Sequence, residues 1–399
     1  MTDNNISSEQ QYRAEISILN DEIRRLNDEL EKRETDGGYK IKNKFDPFGN
    51  PTDYKYFNGD YSKIEPRVEE AGFSLPLEPE YQERKKLRKF YSIGGSCVIF
   101  HYFFTEALAY IIISAIIYFM ALASPEASQT SIYSYIKGSS IVVGINMLVF
   151  LTANLSFSAI GMKRAGIRPA SLIRTNDFSF SDAVRYCLIG FFLWYMSYYI
   201  CAGVSDIFNH YGWTIKNTST NGTAQTTLGY MVMLTYDCII APITEEIFYR
   251  GMVLRTFSKA NQKFAIFATA FFFGMAHGNI PQFILAFAVG IFMAHITLKH
   301  GSIIPSIIVH MFINTVSSAI SETASADIRV KFIMNMICIT SAIIGLILLF
   351  VFRASNRIPS TTPQQASRGY RVACGSWAFV GAAGLMILDM LQNLIRKNI

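Results

Sequence analysis

Charge is scarce through most of this chain. Asp, Glu, Lys and Arg make up 17% of 399 residues, and they crowd into residues 1–90, leaving roughly the next 260 nearly bare. With 51% hydrophobic and 14% aromatic residues and a mean hydropathy of +0.25, this excludes an ordinary water-soluble surface. The excess of 36 Lys and Arg over 30 Asp and Glu is too unevenly placed to be a nucleic-acid footprint. Paired cysteines are also missing. Cys97, Cys187, Cys201, Cys238, Cys338 and Cys374 include no CxxC, and five of them sit in or beside apolar stretches, where a thiol packs as a small hydrophobe. That excludes a disulfide framework and a cysteine zinc site. The first thirty residues lack an apolar run, so no cleaved signal peptide is expected and the N-terminus should stay in the cytoplasm.

What the N-terminal part does contain is a short stripe. Tyr12, Ile16, Leu19, Ile23, Leu26 and Leu30 recur at alternating steps of four and three, with Glu15, Glu22 and Glu29 at the flanking positions. Residues 1–36 therefore read as an amphipathic, coiled-coil-like helix. Fewer than three heptads leave two uses open, self-association through residues 12–30 or a lone helix. Residues 37–90 read as a proline- and aromatic-rich connector ending in the basic cluster Arg84, Lys85, Lys86, Arg88 and Lys89.

Apolar runs follow at about 97–123, 139–160, 186–208, 228–249, 264–279, 282–298, 302–320 and 331–352, most of them near the roughly 20 residues that span a bilayer. The fold class expected is all-α, a polytopic membrane bundle of about eight transmembrane helices. Starting from the cytoplasm, the inside loops collect Lys163, Arg164, Arg168 and Arg174, then Arg255, Lys259 and Lys263, then Lys299, then Arg353, Arg357, Arg368 and Arg371. The outside loops hold Lys137, Lys216, Arg329 and Lys331, so the positive-inside rule is obeyed at each inside loop. The domain reading is 1–36, 37–90, a membrane domain 91–353, and a linker with an apolar helix over 354–399. The stretch 372–391 is read as lying at the interface or packed on the bundle in preference to crossing, because a crossing would leave Arg396 and Lys397 outside. Two sequons, at Asn217 and Asn221, lie in a polar outer loop and are read as plain loop.

Ionisable groups inside apolar helices cost about 2.5–3.5 kcal/mol each at the helix centre, so they call for a reason. They concentrate at Glu245, Glu246 and Arg250 on the fourth run, His277 on the fifth, and His310 with Asn314 on the seventh. Glu245 and His277 each lie sixteen residues from Asn261, in the turn between their two helices, and so at a common depth of about 24 Å. His310 and Asn314 fall about 13 and 20 Å into their helix, which lets one pocket hold all four. A carboxylate and an imidazole can hold and deprotonate a water, while a second imidazole and an amide donate to a developing oxyanion. Arg250, one turn from Glu246, would brace that acid and leave Glu245 to the water.

These residues resemble the motifs of the CPBP family, the CAAX protease and bacteriocin-processing enzymes, also called Abi or type II CAAX prenyl endopeptidases. Its EExxxR, FxxxH and HxxxN/D read here as Glu245-Glu246 with Arg250, Phe273 with His277, and His310 with Asn314. The resemblance spans about residues 90–352. It implies an eight-helix intramembrane endopeptidase in a multi-pass, bacterial plasma-membrane protein, in which Glu245 and His277 activate water and His310 and Asn314 form the oxyanion hole. It implies a peptide or lipidated-peptide substrate, of prenylated CAAX or leader type, and a cavity open to the cytoplasm. Some family members are described as metalloproteases. Zinc on Glu245, His277 and His310 therefore stands beside the favoured reading, which needs no cofactor; there is no HExxH.

Blander readings stand next to these. The paired glutamates could brace helices through Arg250, His277 could cap a helix end, and His310 with Asn314 could hold helices together. His101, His295 and His300 match no motif, and Glu106 stands alone in the first run. A secondary transporter built on buried Glu and His, or a non-catalytic membrane scaffold, are the other classes; against the transporter, no convincing internal repeat is present.

Overall fold

The computed structural model describes residues 21, 22, 25, 79–137, 139–173, 178–215, 226–323, 327–355 and 369–396. Most of the 12–30 stripe, the 37–78 connector and both sequons lie outside them. Within the stripe, Glu22 and Arg25 are helical and lie 3.7 Å apart. Two units divide at Pro79 and Glu80, and the second holds the membrane helices.

That unit is built from α1 (Pro79–Ala123), α2 (Gln129–Lys137), α3 (Ser140–Ala165), α4 (Phe180–His210), α5 (Thr227–Ser258), α6 (Gln262–Met275), α7 (Ile280–His300), α8 (Ile304–Glu322), α9 (Ile328–Ser355), α10 (Gly369–Cys374) and α11 (Trp377–Gln392). A small antiparallel pair completes it: β1 (Trp213–Ile215) joins β2 (Leu394–Arg396), with Trp213 opposite Arg396. Among the described residues seven helices, α1, α3, α4, α5, α7, α8 and α9, are long and apolar enough to cross a membrane. The protein is an integral membrane protein of the all-α class.

Two details differ from the hydropathy pattern. The basic juxtamembrane cluster 84–89 continues into the membrane helix as the first turns of α1, since Lys, Arg, Glu and Leu favour a helix whether or not they are apolar. The fifth apolar run becomes the 14-residue α6, about 21 Å long and short of the roughly 30 Å hydrocarbon core. Its ends are set by chemistry that hydropathy does not weigh. Asn261 caps the start by accepting from the Phe264 N–H at 2.8 Å. At the other end Gly278 takes φ +68°, and Asn279 caps α7 by accepting from the Gln282 N–H. Helices α6 and α7 thus form a short helical hairpin turning at His277-Gly278-Asn279.

The core lies between α5, α6, α7 and α8, with Phe248, Met252, Leu254 and Phe257 of α5 against Phe272 of α6, Met293 and Ile296 of α7, and Val309 of α8. Basic side chains tie one end together. Arg255 donates to the Ser171 and Gly301 carbonyls, Lys259 to those of Ala165 and Gly166 at the end of α3, and Lys299 to the Tyr186 hydroxyl. Helix α11 packs on the bundle. Phe379 meets the rings of Tyr91, Phe257, Phe264 and Phe272 at 5.3–5.8 Å, and a methyl group on Gly95 of α1 would strike the Ala378 backbone. It runs alongside α6, from Ser376 beside Ser92 to Asn393, whose amide donates to the Gly278 carbonyl.

Candidate active site

Helix α5 is not uniform. Residues Tyr236–Ile240 and Ile247–Leu254 are wound as π-helix, and the α-helical segment Ala241–Glu246 between them carries the two glutamates. Single-turn π segments occur frequently at functional sites because they re-aim side chains. Here the first one also frees a carbonyl. The Ala241 N–H bonds to the Tyr236 oxygen, and the next donor in that pattern is Pro242, which has no N–H. The Asp237 carbonyl is therefore left without a helical partner and accepts instead from Asn314 Nδ2 at 2.7 Å.

Consecutive residues on a helix point about 100° apart, which gives the adjacent acids different surroundings. Glu246 faces the core. Its Oε1 accepts from Arg250 Nη1 at 2.7 Å and from His310 Nδ1 at 3.0 Å, and both Glu246 and Arg250 are 0% exposed. The Arg250 guanidinium lies 4.2 Å over the Phe273 ring, which also stands edge-on to His277 and His310. Glu245 faces a cavity of about 560 Å³ with its side chain 30% exposed, its Oε2 3.9 Å from His310 Nε2.

The same cavity is lined by His277, His310 and Asn314, so three helices bring the four expected site residues together, with Phe273 in its wall. Hydrogen bonding fixes their ring nitrogens. A carboxylate and a carbonyl only accept, so His310 carries a proton on Nδ1 toward Glu246, and His277 one on Nδ1 toward the Phe273 oxygen at 3.0 Å. On His310 this leaves Nε2 turned toward Glu245 Oε2, 3.9 Å away. Among the described residues no three His, Cys, Asp or Glu side chains are arranged to share a metal ion, and Glu245, His277 and His310 form no such set.

The motifs did not reveal everything in the wall. His101 of α1 also lines the cavity, with Nε2 2.8 Å from Asn154 Oδ1 of α3, and Asn154 donates to the Thr244 hydroxyl at 3.2 Å. This chain joins three helices next to Glu245. The available signal was a histidine and an asparagine inside two apolar runs, where polar side chains mark a partner or a site. Tyr236, Asp237, Ser317 and Ser318 extend the cavity away from the end where Arg255, Lys259 and Lys299 gather. His295 and His300 lie elsewhere, His300 bonded to Tyr186 and His295 against Phe352.

Helices of this length around a cavity lined by carboxylate and imidazole side chains define an integral membrane protein with a polar cavity inside its bundle. Residues 227–316, which hold all three motifs, match the family model described as Rce1-like, type II CAAX prenyl endopeptidase Rce1-like. The match covers less than a quarter of the chain and is consistent with the CPBP resemblance. No curated protein and no solved structure matches it.

Proposed function

We propose that this protein is a glutamate-dependent intramembrane endopeptidase, which hydrolyses a peptide bond of a membrane-associated or membrane-delivered polypeptide. One observation carries the reading: of two adjacent glutamates, one is neutralised in the core by Arg250 and the other is held in a cavity beside two imidazoles.

Glu245 takes a proton from a water that also donates to His277 Nε2, and the hydroxide formed attacks the scissile carbonyl. The oxyanion is met by the Nε2 edge of the His310 ring and by the second Asn314 amide hydrogen. Glu246 holds that ring by its Nδ1, as Arg250 in turn holds Glu246. Glu245 then returns its proton to the departing nitrogen, and a carboxylic acid and an amine leave, the acid passing its proton to the amine or to water. Phe273 fixes the orientation of both imidazoles and of Arg250 by ring contact. Of the five residues of the EExxxR and HxxxN motifs, Glu245, His310 and Asn314 thus meet the reacting atoms, and Glu246 and Arg250 hold them in place. The N-terminus and basic end are assigned to the cytoplasm of a bacterial plasma membrane.

The test is incubation of detergent-purified protein with quenched-fluorescent peptides, farnesylated CAAX and leader-type sequences among them, in heavy-oxygen water. Cleavage that places one heavy oxygen in the new carboxylate and survives a zinc chelator is the expected result. Cleavage abolished by chelation and restored by zinc would replace this mechanism with a metal one, and solute flux without cleavage would favour a transporter.

A further inference from the structure

The position of the cavity along the helices indicates which side of the membrane supplies its contents. On α8 the lining residues Asn314, Ser317 and Ser318 all follow His310, whereas Ser306 and Val309, toward the start of that helix, are buried. On α5 the lining continues from Glu245 back to Asp237 and Tyr236, while Val253, Leu254 and Phe257, toward its end, are fully buried. On α3 it reaches Phe150, while Ser158 and Met162 beyond Asn154 are buried. Three helices of both directions agree: packed core fills the space between the site and the end formed by Ala165, Ser258 and Ile304, and the cavity extends toward the other end.

The closed end is the basic one. Lys163 and Arg164 finish α3, Arg255 and Lys259 finish α5, Lys263 begins α6 and Lys299 finishes α7. Lys and Arg in short loops beside spanning helices set the cytoplasmic side. Among the described residues no Lys or Arg lines the cavity.

We propose that the cavity opens to the extracytoplasmic face and that its substrate is a peptide segment already on that face, an exported polypeptide or the outer tail of a membrane protein. The resemblance to CAAX proteases implies a cytoplasmic mouth; the placement of core and charge points the other way. The step that must supply such a substrate is translocation of the peptide across the bilayer. This proposal rests on the hydrolase reading for its substrate, but the side of the mouth is tested without turnover.

One cysteine at a time is added, at Ser317 in the cavity or at exposed Lys263 on the basic end of the full-length chain, and each is read against the background without it, which keeps Cys97, Cys187, Cys201 and Cys338. The background carries Cys238→Ser and Cys374→Ser, because Cys238 lies 3.8 Å from Ser318 and Cys374 is exposed. A small membrane-impermeant maleimide is applied to intact expressing cells and to inverted membrane vesicles, and read as loss of a later gel shift. The expected result is that Ser317→Cys is blocked in intact cells and Lys263→Cys only in inverted vesicles. Ser317→Cys blocked only in inverted vesicles, or on neither side, would overturn the proposal, as would Lys263→Cys blocked in intact cells. If Ser317→Cys elutes as an aggregate, Ser318→Cys reports the same wall. Peptide cleavage by a protein whose cavity is reached only from inverted vesicles would leave the hydrolase standing and this inference refuted. An outward mouth in a protein that cuts nothing would do the reverse.

Discussion

At the scale of single residues, Glu245 and Glu246 show how two identical side chains in sequence come to differ in chemistry. Glu246 is charged at no exposure because Arg250 lies one helical turn away and His310 closes on the same oxygen. Removing one member of such a pair strands the other. Arg250→Met is expected to lower stability by about 3–5 kcal/mol, seen as a fall in the detergent unfolding midpoint, and the double variant Glu246→Gln with Arg250→Met should recover part of it. An Arg250→Met protein that unfolds with the native midpoint would show that the pair contributes no stability. Asn154→Leu removes an interhelical link between His101 and Thr244, and a loss of about 1 kcal/mol is expected in the same unfolding assay. The i, i+4 spacing of Glu246 and Arg250 could be read from sequence, as could the shared depth of Glu245 and His277. His101 and Asn154 could not be paired that way, because they lie on separate helices and belong to no motif. Only the packing of α1 on α3 brings them to 2.8 Å.

At the scale of elements, α5 and the α6–α7 hairpin depend on residues that interrupt helices. Pro242 leaves the Asp237 carbonyl for Asn314, so it positions an amide it never touches. Pro242→Ala restores a backbone donor that competes for that carbonyl. Turnover is expected to fall on the order of tenfold with KM little changed, a fraction of the 10²–10³ that losing an oxyanion donor costs. In an Asn314→Ala background the same substitution should cost little more; full additivity would mean that Pro242 does not act through Asn314. Gly278 at φ +68° admits no side chain without strain, and Gly278→Ala should cost about 1–2 kcal/mol in unfolding free energy. Hydropathy indicated an apolar run over 264–279 but could not show where it stops, since an asparagine cap and a left-handed glycine set that limit. The turn residues were present in the sequence as Gly278-Asn279-Ile280-Pro281, a helix-breaking group within the apolar pattern.

At the scale of the whole molecule, the membrane unit has two unlike ends. One is tied by Arg255 and Lys259, which donate to backbone carbonyls at the ends of neighbouring elements, and by Lys299, which donates to the Tyr186 hydroxyl. The other carries the extension of the cavity through Ser317 and Ser318 and the strand pair that fastens the C-terminal segment to α4. The all-α class was legible from the charge-free runs, whose lengths match the bilayer. The place of α11 was not, because its apolar face suits lipid and protein equally; only the ring cluster around Phe379 settles it on the bundle. The reaction assigned to this frame depends on one side chain. Glu245→Gln keeps the size of the residue and removes the base, so its peptide turnover is the measurement to make, with the unfolding midpoint taken on the same sample. A loss on the order of 10³-fold at a native midpoint is expected, in line with the 10²–10⁴ that general bases contribute. Turnover within a few-fold of the native protein would contradict the assignment of Glu245 as the base.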